Sequence, residues 1–518
     1  MQKTSALALV LIGLNALTVL VTSQPAAQVE AARPTPTPLP QSVVQPPGRS
    51  NPICRAKPAF CRDDTRPHRT TVATAIYKPA VTFTNPALDA RGVTTHTLIS
   101  ASFNDTMNPS TINSGTFFVM QGTTPIAGSI SYNAVSRIAI FTPGAPLALN
   151  TIYTATLTTS VQNMSAVPLA SDFVWAFTTS DGVSPLGNGM NIYFGDLHSH
   201  SSYSDGQGTP ADAFAAARAN GADFFALTDH AESLTSLEWQ DMLNQANAAT
   251  SDGRFVGLRG FEFSHANGHI NVFDTDTYVQ ASDPNYSTLN QFYAWLANQS
   301  TAIGQFNHPR KTETYDWNFN DFAFNAPASA KMVLRETPGY PADQYLLSLN
   351  AGWRIGAVDN SDTHSADWGR GRYMGIVAAG LTKNQVLDAF RARRTFSISE
   401  GNLALVMQAN GNWMGSVIPY AQTINFTITA YDPDPIEPIL ALVLYDNGEP
   451  VASTTLLSKP TLYTWNPSIT GSSNHYYYVK AYLDADGWVV GYTSPVWMEQ
   501  VPGSVQLFPI ILKNVASP

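Results

Sequence analysis

The stretch 193–232, YFGDLHSHSSYSDGQGTPADAFAAARANGADFFALTDHAE, constrains this chain more than any other. An apolar run (Ile192, Tyr193, Phe194) ends in Asp196, His198 and His200, and if the strand continues to that point its alternation sends both imidazoles to one side. Asp205 follows on a loop. Thr209 with Pro210 then opens an Ala-rich helix that stops at Asn220-Gly221, an N-cap to C-cap pattern. A second apolar run, Phe224 to Leu227, ends in Thr228-Asp229-His230. Strand, polar cluster, helix, strand and polar cluster make a βαβ unit, which places the polar groups at the carboxyl ends of parallel strands.

The pattern recurs downstream. FVGLRGFEF leads to Glu262, AIGQF to Asn307-His308-Pro309, and RIGAVDNSD to Asp362 and His364. Seven of the ten histidines (His198, His200, His230, His265, His269, His308, His364) fall in this part of the chain. If the strands are parallel neighbours of an α/β barrel, these groups meet at one end of it. Imidazoles and carboxylates without thiolates suit zinc, manganese or iron. Two or three such cations sharing a glutamate can hold a substrate oxygen, activate a water and stabilise the leaving oxygen, which is the chemistry of hydrolysis.

Outside this region the chain changes character. With 518 residues, several cores are expected. Residues 1–31 carry one lysine, an apolar run from Ala6 to Thr22 and small residues, an export signal or else an uncleaved anchor. Either way the remainder is expected outside the cytoplasm, extracellular or at the cell surface. Residues 32–77 form a proline-rich linker, and its Cys54 and Cys61 are expected to pair in an oxidising compartment. From 78 to 180, short β-rich runs predict a small sandwich, from 190 to 401 strands alternate with helices, and from 402 to 500 the β pattern returns. Residues 501–518 form an apolar tail that either packs on the last sandwich or attaches to the envelope. The net charge of −10, with 13% charged residues and no basic run, argues against nucleic acid as a partner. The expected partner is a small-molecule ester, with possible cell-envelope association, and no obligate protein partner is identified.

Two resemblances sharpen this reading. Phe103-Asn104-Asp105-Thr106-Met107-Asn108-Pro109-Ser110-Thr111, with the terminal Phe177-Thr178-Thr179, resembles the bacterial Ig-like domain, which implies a spacer or accessory module. Asp196-Leu197-His198-Ser199-His200, Thr228-Asp229-His230, Gly260-Phe261-Glu262, Gly268-His269, Asn307-His308-Pro309 and Ser361-Asp362-Thr363-His364 resemble, in order, the motifs of the PHP (polymerase and histidinol phosphatase) superfamily. The segment after Asp362, GRYMGIVAAGLTKNQVLDAFRARRTFSIS, is similar to the branch with carbaryl hydrolases of the CehA/McbA type.

The PHP resemblance implies a distorted (β/α)7 barrel, here flanked by two β-sandwich modules, with a di- or trinuclear site. One metal would take His198, His200, Glu262 and Asp362; a second would share Glu262 and add His269 and His308; a third would take Asp205, His230 and His364. Asp205 departs from a histidine found in many relatives, and otherwise caps the turn before Gly206. His265 is an alternative to His269. Asp196 and Asp229 are expected to orient histidines from behind. Arg370 and Arg372 are expected to hold an anionic substrate group, or else to pair with surface acids. The function expected is phosphoester hydrolysis. A carboxyl or carbamate ester hydrolase and a non-catalytic surface protein with a degenerate barrel are the alternatives.

Overall fold

The computed structural model describes residues 77–311, 316–337, 343–371, 374–399, 403–433, 439–456, 460–482 and 489–500. Residues 1–31, expected to be an export signal, the proline-rich stretch with Cys54 and Cys61, Arg372 and residues 501–518 lie outside them.

The N-terminal module is two four-stranded antiparallel sheets. Its signature residues have separate tasks. Phe103 and Met107 are buried in the core with Phe117, Trp175 and Phe177, while the Asn108 side chain caps the short 3-10 turn Pro109–Thr111. Asp105 accepts from Asn163 Nδ2 across the loops (2.8 Å).

The central region is built on ten strands: β1 (Asn191–Asp196), β2 (Phe224–Leu227), β3 (Val256–His265), β4 (Gly268–Phe273), β5 (Ile303–Phe306), β6 (Met332–Glu336), β7 (Gly356–Val358), β8 (Met374–Ala378), β9 (Thr395–Ile398) and β10 (Val489–Thr493). Their spatial order is β7-β6-β5-β4-β3-β2-β1-β8-β9-β10. The strand β2 is apolar throughout and fully buried, as a strand covered on both faces must be. Each buried phenylalanine there contributes about 2 kcal/mol. Helices α1 (Pro210–Ala219), α2 (Ser236–Ala249), α3 (Leu289–Ala297) and α4 (Lys383–Arg391) are each N-capped by a threonine side chain.

Three strands depart from the parallel reading. The strand β4 runs antiparallel to both β3 and β5, β8 antiparallel to β1, and β10 antiparallel to β9. For β4 the reason is local: only Ala266 and Asn267 separate β3 from β4, enough for a hairpin and far too few for a crossover. Strands β1, β2, β3, β5, β6 and β7 share one direction, so their carboxyl ends form one rim. The sheet curls until its β6–β7 edge meets β9 and β10: Thr337, just past β6, donates its Oγ1 to Ser397 Oγ of β9 (2.6 Å), and Ser494 Oγ, just past β10, accepts from Ala357 N of β7 (3.0 Å).

The C-terminal β region is not a separate layer set. Its strand β10 pairs with β9, and the same sheet continues through His475–Tyr482, Ala441–Asp446 and Glu449–Thr455. A second sheet of Ala404–Ala409, Thr423–Tyr431 and Leu462–Trp465 closes the core over Leu405, Met407, Ile428, Val479 and Val490.

Candidate metal centre

Every polar group singled out after a strand-like run sits on the carboxyl rim. His198 and His200 follow β1, His230 follows β2, Glu262 lies late in β3, His308 follows β5, and Asp362 and His364 follow β7. His269 reaches the same rim because β4 is reversed, so its first residues lie where its neighbours end. The backbone is forced at two of these positions: His308 and Asp362 have φ of 28° and 49°, a region that side chains rarely adopt.

Glu262, 1% exposed, is the centre of the cluster. Its Oε1 lies 3.1 Å from His198 Nε2, 3.2 Å from His269 Nδ1 and 3.3 Å from His308 Nε2, and its Oε2 lies 3.0 Å from His230 Nδ1 and 3.6 Å from His200 Nε2. Asn307 Nδ2 donates to Oε1 (2.8 Å). Asp362 Oδ1 stands 3.0 Å from His200 Nε2 and 3.2 Å from His198 Nε2. Burial by itself pushes the Glu262 carboxyl up, but the charge of His198 and the other imidazoles holds it well below the usual carboxylate range. Burial likewise favours a neutral His198, yet Asp362, Glu262 and Glu336 raise it well above the usual imidazole value. Burial dominates at His200 and lowers it.

The donor set fits divalent cations. Ligand atoms fall into four overlapping groups: His198, His200 and Glu262; His198, His308 and Asp362; Glu262, His269 and His308; and His200, Asp205, His230 and His364, each group within 4.8 Å. Three ring nitrogens in the cluster, His198 Nε2, His269 Nδ1 and His308 Nδ1, are buried without a hydrogen bond. Two of them, His198 Nε2 and His269 Nδ1, lie 3.1 and 3.2 Å from Glu262 Oε1. Buried orphan donors of this kind are rare unless a ligand completes them.

Asp205 aims its carboxylate at the histidines: 3.2 Å to His364 Nε2, 3.7 Å to His230 Nε2 and 3.9 Å to His200 Nδ1. The turn that follows depends on glycine, because a Cβ on Gly206 would stand 2.6 Å from the His200 carbonyl carbon. His265 lies apart, its Nε2 3.1 Å from Ser287 O.

Neither Asp196 nor Asp229 touches an imidazole. Asp196 is fully buried and accepts from His198 N (3.1 Å) and from Ser361 Oγ (2.5 Å), so it ties the β1 and β7 rims together; burial raises its pKa to about 6. Asp229 accepts from Ser201 N and from Ser204 Oγ (2.7 Å), and that hydroxyl faces His200 Nδ1 at 3.3 Å. Glu336 does what was expected of Asp196. At the end of β6 its Oε1 lies 3.0 Å from His198 Nδ1, and the same carboxylate accepts from Asn360 Nδ2, Gln305 Nε2 and His308 N. It fixes the His198 ring with Nε2 facing inward. The signal was present in the sequence: KMVLRE is one more apolar run that ends in a charge.

Trp317 stands beside the cluster, its ring centroid 4.8 Å from that of His269 and 5.2 Å from that of His308. Arg370 lines a cavity of about 320 Å³ with Asp362, His364, Asp367 and Gly369. Its Nε is buried without a partner, and no ion pair engages its guanidinium among the described residues.

Residues 76–179 match the bacterial Ig-like domain, and residues 196–334 match the PHP domain. The chain thus carries an Ig-like domain followed by a PHP domain. Asp362 and His364 lie beyond that match, and the fold returns them to the same rim. Among solved structures, a two-domain protein from Bacteroides vulgatus containing a predicted PHP-like metal-dependent phosphoesterase is 18% identical. The alignment covers 60% of this chain and 96% of that one, with a TM-score of 0.36. The lesion-specific endonuclease PfuEndoQ from Pyrococcus furiosus is 15% identical over 39% of this chain and 56% of that one, with a TM-score of 0.25. No curated protein matches the chain. Among the described residues, no helix is long and apolar enough to cross a membrane.

Proposed function

We propose that the protein is an exported, metal-dependent phosphoesterase whose PHP domain, a curled sheet read as the distorted barrel, holds two or three divalent cations, with zinc, manganese and iron as candidates. The observation that carries this reading is the overlap of four ligand groups through Glu262, His198 and His200. Bound there, the cations would supply Lewis-acid stabilisation of the phosphoryl oxygens and an activated water. The protein does the rest. Glu262 offers each carboxylate oxygen to a different set of imidazoles, Glu336 orients His198, and Asp229 orients His200 through Ser204. Arg370 would hold a non-bridging phosphate oxygen, for which its unpartnered guanidinium is suited. No side-chain nucleophile is required.

A second reading, hydrolysis of an aryl ester or carbamate, is favoured by Trp317, whose ring beside His269 and His308 offers a face to an aromatic leaving group. The test compares chromogenic phosphomonoester, phosphodiester and aryl ester substrates on the whole, metal-replete chain, with His200→Ala as control. Turnover of a phosphoester that the variant abolishes supports the proposal. Turnover of the aryl ester alone replaces it with the second reading, and turnover of none by protein with metals bound overturns both.

A further inference from the structure

Helix α1 leads directly away from the Asp205 loop, and the Ig-like domain holds both of its ends. At the carboxyl end, Ala219 O accepts from Ser100 Oγ (2.8 Å) and from Asn85 Nδ2 (3.2 Å), which satisfies a carbonyl the helix leaves open. At the amino end, Asn133 Nδ2 donates to Asp212 Oδ1 (3.1 Å). The other oxygen of that carboxylate accepts from Thr209 N (3.1 Å) and Thr209 Oγ1 (2.7 Å), the capping box on which the helix starts. Burial pushes the Asp212 carboxyl up, but the hydrogen bonds from Thr209 and Asn133 outweigh it and hold the group below the usual carboxylate range, so it is charged at neutral pH.

The same end of α1 is the neck of the loop that carries Asp205. Ser202 N donates to Gly208 O (2.8 Å), which closes residues 202–208 into a loop. One side of it is held within the PHP domain, where Ser201 Oγ donates to Asp229 Oδ2 (2.8 Å) and Tyr203 Oη to Asp241 Oδ2 (2.7 Å). The other side is held by the Ig-like domain. Gly208, with φ of 63°, lies between the Trp368 ring and Val135 Cγ1, which stand 2.8 and 2.9 Å from where a Cβ would be. Val135 belongs to the turn between the Ig-like strands Gly128–Asn133 and Ile138–Pro143, and Asn133 Oδ1 fixes that turn by accepting from Val135 N (2.9 Å) and Ser136 N (3.0 Å). The two ends of one amide thus do different work: the oxygen shapes the turn that presses on Gly208, and the nitrogen grips the start of α1. Asp205 has a side chain 60% exposed, so its place is set by its loop rather than by packing around it.

We propose that Asn133 of the Ig-like domain is a positioning residue of the metal centre: it holds the neck of the Asp205 loop and thereby sets how tightly His200, Asp205, His230 and His364 hold their cation. The Ig-like domain is then a structural part of the centre and more than a spacer. This rests on the metal occupancy proposed above and is independent of which ester is cleaved.

The experiment uses the whole chain, stripped with a chelator and titrated with Mn2+, the free ion being counted by electron paramagnetic resonance. The parent is compared with Asn133→Asp, with Asn133→Asp combined with Asp212→Asn, and with Ser100→Ala, thermal unfolding serving as the check on folding. Asn133→Asp keeps the oxygen that fixes the turn but sets a second carboxylate against Asp212. The double variant exchanges donor and acceptor and restores the contact, while Ser100→Ala loosens the same domain junction at the far end of α1. Asn133→Asp is expected to weaken the most weakly held cation roughly 10-fold with the tighter ones unchanged, the double variant to return it to within about twofold of the parent, and Ser100→Ala to leave it unchanged. An unchanged weakest cation in Asn133→Asp, an equal loss in Ser100→Ala, no recovery in a folded double variant, or a parent without a weakly held cation overturns the positioning role. Should the double variant not fold, the contrast between Asn133→Asp and Ser100→Ala decides alone. If the weakest cation depends on Asn133 while no phosphoester is cleaved by the metal-replete chain, the positioning role stands and the proposed reaction falls. If phosphoesters are cleaved but cation binding ignores Asn133, the reverse holds.

Discussion

The two poles of the metal centre differ in how far the protein has removed them from water. The side chains of His198, His200 and Glu262 are at most 1% exposed, whereas those of Asp362 and His364 are 38% and that of Asp205 60% exposed. A carboxylate enclosed among imidazoles is unfavourable unless opposite charge compensates it, and leaving it unmatched costs several kcal/mol. The open pole carries no such penalty, because water solvates Asp205 with or without a cation. Equal donor chemistry would therefore give unequal sites: cations bound at the buried pole would also stabilise the fold, and one bound at the open pole would be held by its ligands alone.

The strongest attack on this contrast is Glu262→Gln. It is expected to empty the groups that share Glu262 and to lower phosphoester turnover by about a thousandfold or more, read from metal content by mass spectrometry and from steady-state rates. Retention of full metal content would dissolve the distinction between the poles. Stepwise chelation comes next: one equivalent of metal is expected to leave first with little change in thermal stability, and the rest only with a fall in Tm. Simultaneous loss would show one cooperative cluster in place of two poles. Glu336→Gln, which keeps the size but removes the charge facing His198 Nδ1, is expected to weaken metal binding by roughly 10- to 100-fold. Asp205→Asn should have the smallest effect, about 10-fold or less in turnover, with the buried ions retained. An Asp205→Asn defect as large as that of Glu262→Gln would place the open ion at the centre of the chemistry.

Much of the site was legible because its signals are local. Each ligand cluster closes an apolar run, so the strand and the residues at its end are read together. Glu336 was missed although MVLRE obeys the same rule, because no histidine accompanies it and a lone glutamate after a strand is commonplace. The reversal of β4 was also within reach: Asn267-Gly268 is a hairpin dipeptide, but His269 drew attention as a ligand rather than the turn before it. The pairing of β9 with β10 could not be found. Phe396 pairs with Thr493 across some ninety intervening residues, and periodicity reports which face of a strand is buried, never which strand lies beside it.

The sheet shared by β9 and β10 has a consequence for how the chain matures. The polypeptide is made from its amino end, so β9 emerges long before β10 exists to cover it. Until residues 489–493 arrive, Phe396, Ser397 and Ile398 present an unpaired row of amide and carbonyl groups beside an otherwise assembled hydrolytic domain. During synthesis this bare border is a template for pairing with any extended segment, including the same border of a neighbouring nascent chain. A chain broken off before residue 489 would keep every metal ligand and still be the form most prone to aggregate.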